Sequence, residues 1–147
     1  MKEEWYKVLK KKAKKIAKPY TDWAKEEGFT HIKQNDISAR YLRIDKDGFV
    51  NRIKWHYDES SDTYRLVWQS WIGDNKERPN FAKLNLVTKR KDGIYLEAEH
   101  ERCVFSVEQF ASYKMLTYIK ENNDKMIGLC KDNINKRLKK HPKNLQD

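Results

Sequence analysis

The residues best placed to do chemistry in this chain are lysines. Residues 7–18 contain Lys7, Lys10, Lys11, Lys12, Lys14, Lys15 and Lys18, and no acid. The surrounding segment carries Trp5, Val8, Leu9, Ala13, Ile16, Ala17, Tyr20, Trp23 and Ala24 at the three-and-four spacing of one helical face. On such a helix most of the lysines fall on the side opposite that stripe, with Lys12 at the boundary. A helix with one cationic side can lie along a phosphate backbone, where each neutralised phosphate releases counterions. The competing reading is a solvated face that keeps the protein soluble, but surfaces serving that end usually mix both signs. A membrane-surface helix is less favoured, because the apolar side bears Trp5, Tyr20 and Trp23 and runs into a folded domain.

Aromatic residues are the second candidate. Trp55, Trp68 and Trp71 fall in segments of strand-like alternation, together with Arg52, Lys54, Arg65 and Lys83. Single-stranded nucleic acid is often held by aromatic rings stacked on bases in a basic groove. The alternative is a tryptophan-rich core. Trp68 and Trp71 are three residues apart, so on a regular strand they face opposite sides. Either one is exposed, or a bulge intervenes, or both sheet faces are covered.

Other chemistry is poorly supported. His100-x-x-Cys103 is half of a zinc site with no second half at a suitable spacing, so no metal is expected. Cys130 sits in a helical stripe and reads as a small core residue. Glu97, Glu99 and Glu101 alternate along one strand with His100 opposite, and His56 lies on another strand. A small ribonuclease can work with such groups in a basic cleft, but a charged outer face has the same pattern. Only five glycines are present, and most fall at turns or caps, which leaves no phosphate-cradling loop. Catalysis is therefore the minor reading, and no cofactor is expected.

Elements must position these residues. The first helix should run to Gly28, a left-handed cap, with Phe29 set to contact Ala24 in a Schellman ending. Pro19 should kink it, since the stripe keeps its phase across the proline. From about residue 38 the period changes to two, with strands expected at 38–44, 49–57, 63–72, 81–89 and 94–101. Asp45-Lys46-Asp47-Gly48 and Lys91-Asp92-Gly93 supply hairpin turns. A three-residue loop at the second, with Gly93 as bulge residue, would pair Leu86 with Ala98 and Leu84 with His100. Ser106 then reads as a helix N-cap, with Gln109 completing a capping box and Phe105 and Phe110 a hydrophobic staple. Its buried face is Val107, Phe110, Ala111, Met115, Tyr118 and Ile119. Asn122-Asn123 interrupts that stripe, so Met126, Ile127, Cys130, Ile134 and Leu138 are assigned to a separate helix.

The expected architecture is α+β: an N-terminal helix, an antiparallel meander of about five strands, and one or two C-terminal helices packed on one sheet face. One globular domain should span 1–140, followed by a frayed tail at 141–147. Two cysteines make no disulfide framework, and no secretory signal or membrane span is evident. A cytoplasmic location follows, and the lysine-rich composition suits an AT-rich bacterial or phage source.

The formal net charge is +10, concentrated in residues 7–18 and in the C-terminal segment from Lys131. That field favours nucleic acid or an acidic protein surface as partner. The leading functional expectation is a nucleic-acid-associated protein binding phosphates through the lysine helix. The alternatives are an accessory factor, such as an inhibitor or immunity-type protein of a mobile element, and a small hydrolase.

Overall fold

The computed structural model describes the backbone of residues 2–34, 38–72, 87–90 and 93–140, while the side chains of residues 2–6, 9, 10, 14, 31, 34, 87–90, 93–101, 137, 138 and 140 lie outside that description. Helix α1 spans Lys2–Glu26 and continues through Pro19. It ends as its sequence dictates: Gly28 has φ +84°, its N–H donates to Lys25 O, and Phe29 N–H donates to Ala24 O. These are the two bonds of a Schellman cap. Ala13, Ala17, Tyr20, Trp23 and Ala24 are buried, whereas Val8 is exposed. At about 100° per residue Val8 lies well off the centre of the buried stripe, toward the lysine side, so the expected apolar face does not include it.

Six strands are described, β1 His31–Gln34, β2 Ser38–Ile44, β3 Phe49–Asp58, β4 Thr63–Ile72, β5 Val87–Arg90 and β6 Gly93–Ser106. They form one antiparallel sheet in the order β1-β2-β3-β4-β6-β5. The antiparallel α+β plan is as expected, with two differences. The edge strand β1 was not anticipated, and the meander is interrupted because β6 inserts between β4 and β5. Four residues are too few for alternation to mark β1.

The first hairpin closes as read. Gly48 takes φ +87°, and Asp45 N–H donates to Phe49 O at 2.8 Å. The second does not. Arg90 pairs with Gly93 and Val87 with Leu96, so the link is two residues and the register is one residue off the expected Leu86–Ala98 pairing. A one-residue slip exchanges the faces of a strand, and sorting by polarity alone misjudged it. Residues 73–86, including Leu84, Leu86 and Pro79, and the expected tail at 141–147 lie outside the described residues.

Ser106 caps α2, Val107–Ala111, with both capping-box bonds present. The helix then breaks at Ser112-Tyr113, where Tyr113 has φ 60°, and α3 runs unbroken over Lys114–Lys140. The expected break at Asn122-Asn123 is therefore corrected. Asn123 is buried, in phase with Met115, Ile119, Met126, Ile127, Cys130 and Ile134. Its Oδ1 accepts the Trp68 indole N–H at 3.0 Å. A polar side chain sits inside the apolar stripe because a buried indole needs an acceptor.

All three helices contribute to one core on one face of the sheet. Phe110 is at its centre, stacked on Tyr64 with centroids 4.1 Å apart and on Tyr20 at 5.0 Å, and Tyr20 also tilts against Trp55 at 5.7 Å. The Tyr20 hydroxyl donates to Phe110 O at 3.1 Å. At one end α3 is tied to the first hairpin, where Lys131 reaches Asp45 and Asp47.

Candidate functional site

The lysine face survives as geometry. Lys7, Lys11, Lys15 and Lys18 are exposed. At four, four and three residues apart they form one line, with a rise of about 6 Å between the four-residue neighbours. That line is nearly opposite the buried stripe of Ala13, Ala17, Tyr20 and Ala24, so it faces away from the sheet. Lys18 donates to Asp22 at 2.8 Å, which raises its pKa and ends the uniform run of charge. Lys12 is also exposed, while the side chains of Lys10 and Lys14 lie outside the described residues.

The aromatic candidates are placed differently. Trp68 points into the helix-side core and Trp71 to the other face, where it is buried with Leu42 and Val50. The β3–β4 register is regular through both, pairing Ile53 with Trp68 and Val50 with Trp71. Both faces of the sheet are thus covered at this end, and neither ring is open to stack on a base. Arg52 is buried beside them. Its Nε and Nη2 donate to Gln69 Oε1, and its guanidinium lies 5.7 Å from the Trp71 ring centroid.

The other end of that outer face is cationic, with Val67 buried among the charged residues. Register places Lys33, Arg40, Lys54, Val67 and Arg102 in one cross-strand row over five strands. The next row holds Ser38, His56, Arg65 and Val104. Lys33, Arg40, His56, Arg102 and Val104 are exposed, and Lys54 and Arg65 are partly so. Arg65 Nε donates to Asp58 Oδ2 at 3.0 Å. Lys54 and Arg65 were candidates from sequence. Lys33, Arg40 and Arg102 were missed, because they come from separate strands and only the register aligns them.

Electrostatics agree with that layout. The His56 imidazole is held below its ordinary pKa, first by burial and then by the Lys54 charge, with Arg65 and Arg102 acting the same way and Asp58 opposing. Asp58 itself is lowered to about 2, chiefly by the bond from the Ser60 hydroxyl, then by the Ser60 N–H and Arg65. It is therefore a carboxylate at neutral pH and a poor proton donor beside His56.

The acidic strand candidates are separated by a bulge. Pairing shifts between Val67 and Gln69, so that Val67 meets Arg102 while Gln69 meets Glu99 and Trp71 meets Glu97. The shift interrupts the simple alternation expected along 97–101. Cys103 and Cys130 are buried thiols, and Cys130 Sγ lies 3.8 Å from Trp68 O. Among the described residues no group of three or more His, Cys, Asp or Glu side chains could hold a metal ion. None of the described helices is long and apolar enough to cross a membrane. Compared with known families, curated proteins and solved structures, the chain shows no significant match.

Proposed function

We propose that this protein binds nucleic acid through the phosphate backbone, using the lysine line of α1. The observation that carries the reading is the exposed row Lys7, Lys11, Lys15 and Lys18, facing away from the sheet, with an acid, Asp22, only at its Lys18 end. Lysine side chains on a helix exterior contact phosphates and read no base edges, so binding is insensitive to sequence. An acidic protein would meet the same face, but a near-uniform line of cations at regular spacing fits a repeating polyanion better than a mosaic protein surface.

The test is a mobility shift of wild type and of Lys7→Glu/Lys11→Glu/Lys15→Glu/Lys18→Glu on duplex DNA, single-stranded DNA and RNA. Four neutralised phosphates contribute about 3.6 to the log-log salt slope on duplex, or roughly 150-fold in affinity between 50 and 200 mM salt. The variant should lose that share of the slope while remaining folded, because exposed positions add little to stability. An unchanged slope and affinity in the variant would show the lysine line to be only a solvated surface.

A further inference from the structure

The cationic line of α1 meets an acid for which folding gives little reason. Asp22 lies about one turn beyond Lys18 on the same exposed side, and Lys18 Nζ donates to its Oδ2 at 2.8 Å. Exposed Lys25 follows three residues later, so the acid stands between two cations. Three features of the position count against Asp22 as a stabiliser. Aspartate is a poor former of helix interiors. A carboxylate in the last two turns of a helix runs against the macrodipole. A lysine placed N-terminal to its acid is also the weaker orientation of a pair four residues apart. The Lys18 and Asp22 side chains are 78% and 49% exposed, so the pair adds little to stability. Lys11 and Lys15, by contrast, have no acid three or four residues away in either direction.

We infer that Asp22 is an internal competitor for the phosphates of the nucleic acid: it holds Lys18 in the free protein and is displaced when Lys18 takes a phosphate, so it sets the affinity of the α1 surface. This inference rests on the α1 reading. The exchange is chemically like for like, since a carboxylate oxygen and a phosphate oxygen both accept from the same ammonium. It disturbs no packing, because both side chains are exposed while Ala17, Tyr20, Trp23 and Ala24 stay buried on the opposite side. Breaking a pair this exposed weakens binding about twofold. The freed carboxylate, left about 5 Å from the incoming phosphate, repels it by a further few-fold in water. Affinity therefore lies roughly three- to tenfold below what the four lysines give unaided, while the number of neutralised phosphates is the same.

The experiment measures duplex DNA binding by wild type, Asp22→Asn, Asp22→Glu and Asp124→Asn between about 50 and 200 mM salt. Asp22→Asn should bind roughly three- to tenfold tighter throughout, with a log-log slope close to that of wild type. Asp22→Glu keeps a carboxylate within reach of Lys18 and should bind like wild type. Asp124→Asn makes the same charge change at an exposed position of α3. Any gain it brings acts through the general field and should vanish by about 200 mM, where the Debye length is under about 8 Å. Adding Lys18→Gln to Asp22→Asn should remove the gain and take about 0.9 off the slope. All three positions are exposed, so the variants should fold as wild type does. Asp22→Asn binding like wild type, a gain that survives the loss of Lys18, or a gain matched by Asp124→Asn at the higher salt overturns the inference and leaves the α1 reading standing. Duplex binding of wild-type strength and slope by Lys7→Glu/Lys11→Glu/Lys15→Glu/Lys18→Glu overturns both.

Discussion

Asp45 joins two strands and a helix through its carboxylate, and its replacement tests the tie between α3 and the first hairpin. Its carboxylate accepts Arg43 Nε at 3.0 Å, Asn51 Nδ2 at 2.7 Å and Lys131 Nζ. Asn51 is fully buried, and it also accepts the Ser70 hydroxyl at 2.8 Å. Removing the acceptor in Asp45→Ala strands the Asn51 N–H, at about 1–3 kcal/mol. The Arg43 and Lys131 side chains are 21% and 20% exposed. Their pairs therefore fall between the surface and buried limits, at roughly 1 kcal/mol each. Asp45→Ala should lose about 3–5 kcal/mol, and Asp45→Asn, which keeps an acceptor for Asn51, about 1–2 kcal/mol. Denaturant titration followed by tryptophan fluorescence measures both. Burial alone would raise the Asp45 carboxyl, but Lys131, Arg43 and Asn51 outweigh it and hold it below 3.8. A folded pKa below the unfolded one adds stability that is present above about pH 3.8 and is lost as pH falls through the folded value. Wild type and Asp45→Asn should thus converge as pH falls below about 3.8. Loss of under 0.5 kcal/mol in Asp45→Ala, or a wild-type-to-Asn gap independent of pH, would refute the account.

Two further outcomes follow from local features. The His56 pKa, followed by NMR, should lie below 6.5 at low salt and rise toward it as salt screens Lys54, Arg65 and Arg102; a value indifferent to salt would remove the cationic contribution. Tyr113→Gly should stabilise the protein by up to about 1 kcal/mol in thermal unfolding, since glycine carries no Cβ penalty at φ 60°. A clear loss there would mean that the Tyr20–Tyr113 ring contact at 6.1 Å matters more than the backbone.

Features set by near neighbours were legible in the sequence. The Schellman ending at Gly28, the capping box at Ser106 and the Gly48 turn each depend on a few consecutive residues, and each formed as read. Features set by distant partners were not. Asn123 looks like an interruption until Trp68, 55 residues earlier, supplies an indole N–H to be accepted. Conversely, nothing apolar is missing around Ser112-Tyr113, so the true break left no gap in the hydrophobic pattern. Half the candidate surface was equally hidden. The α1 lysines are adjacent in sequence and show as a run, whereas Lys33, Arg40, Lys54 and Arg102 become one row only through strand pairing and the β6 bulge. The suspicion that Trp68 and Trp71 face opposite ways was sound, but burial of both ends their candidacy as stacking platforms.

The contact between Tyr20 and Phe110 joins residues 90 positions apart. During synthesis at about 5–20 residues per second, roughly 5–20 seconds pass between the appearance of one partner and of the other. For that interval the middle of α1 has no Phe110 against which to bury Tyr20, and the segment exists as an amphipathic, lysine-rich stretch in the open. A chain stalled or cut before residue 110 would therefore present both an uncovered aromatic face and a cationic one, and its fate would be decided by whichever chaperone or polyanion met it first.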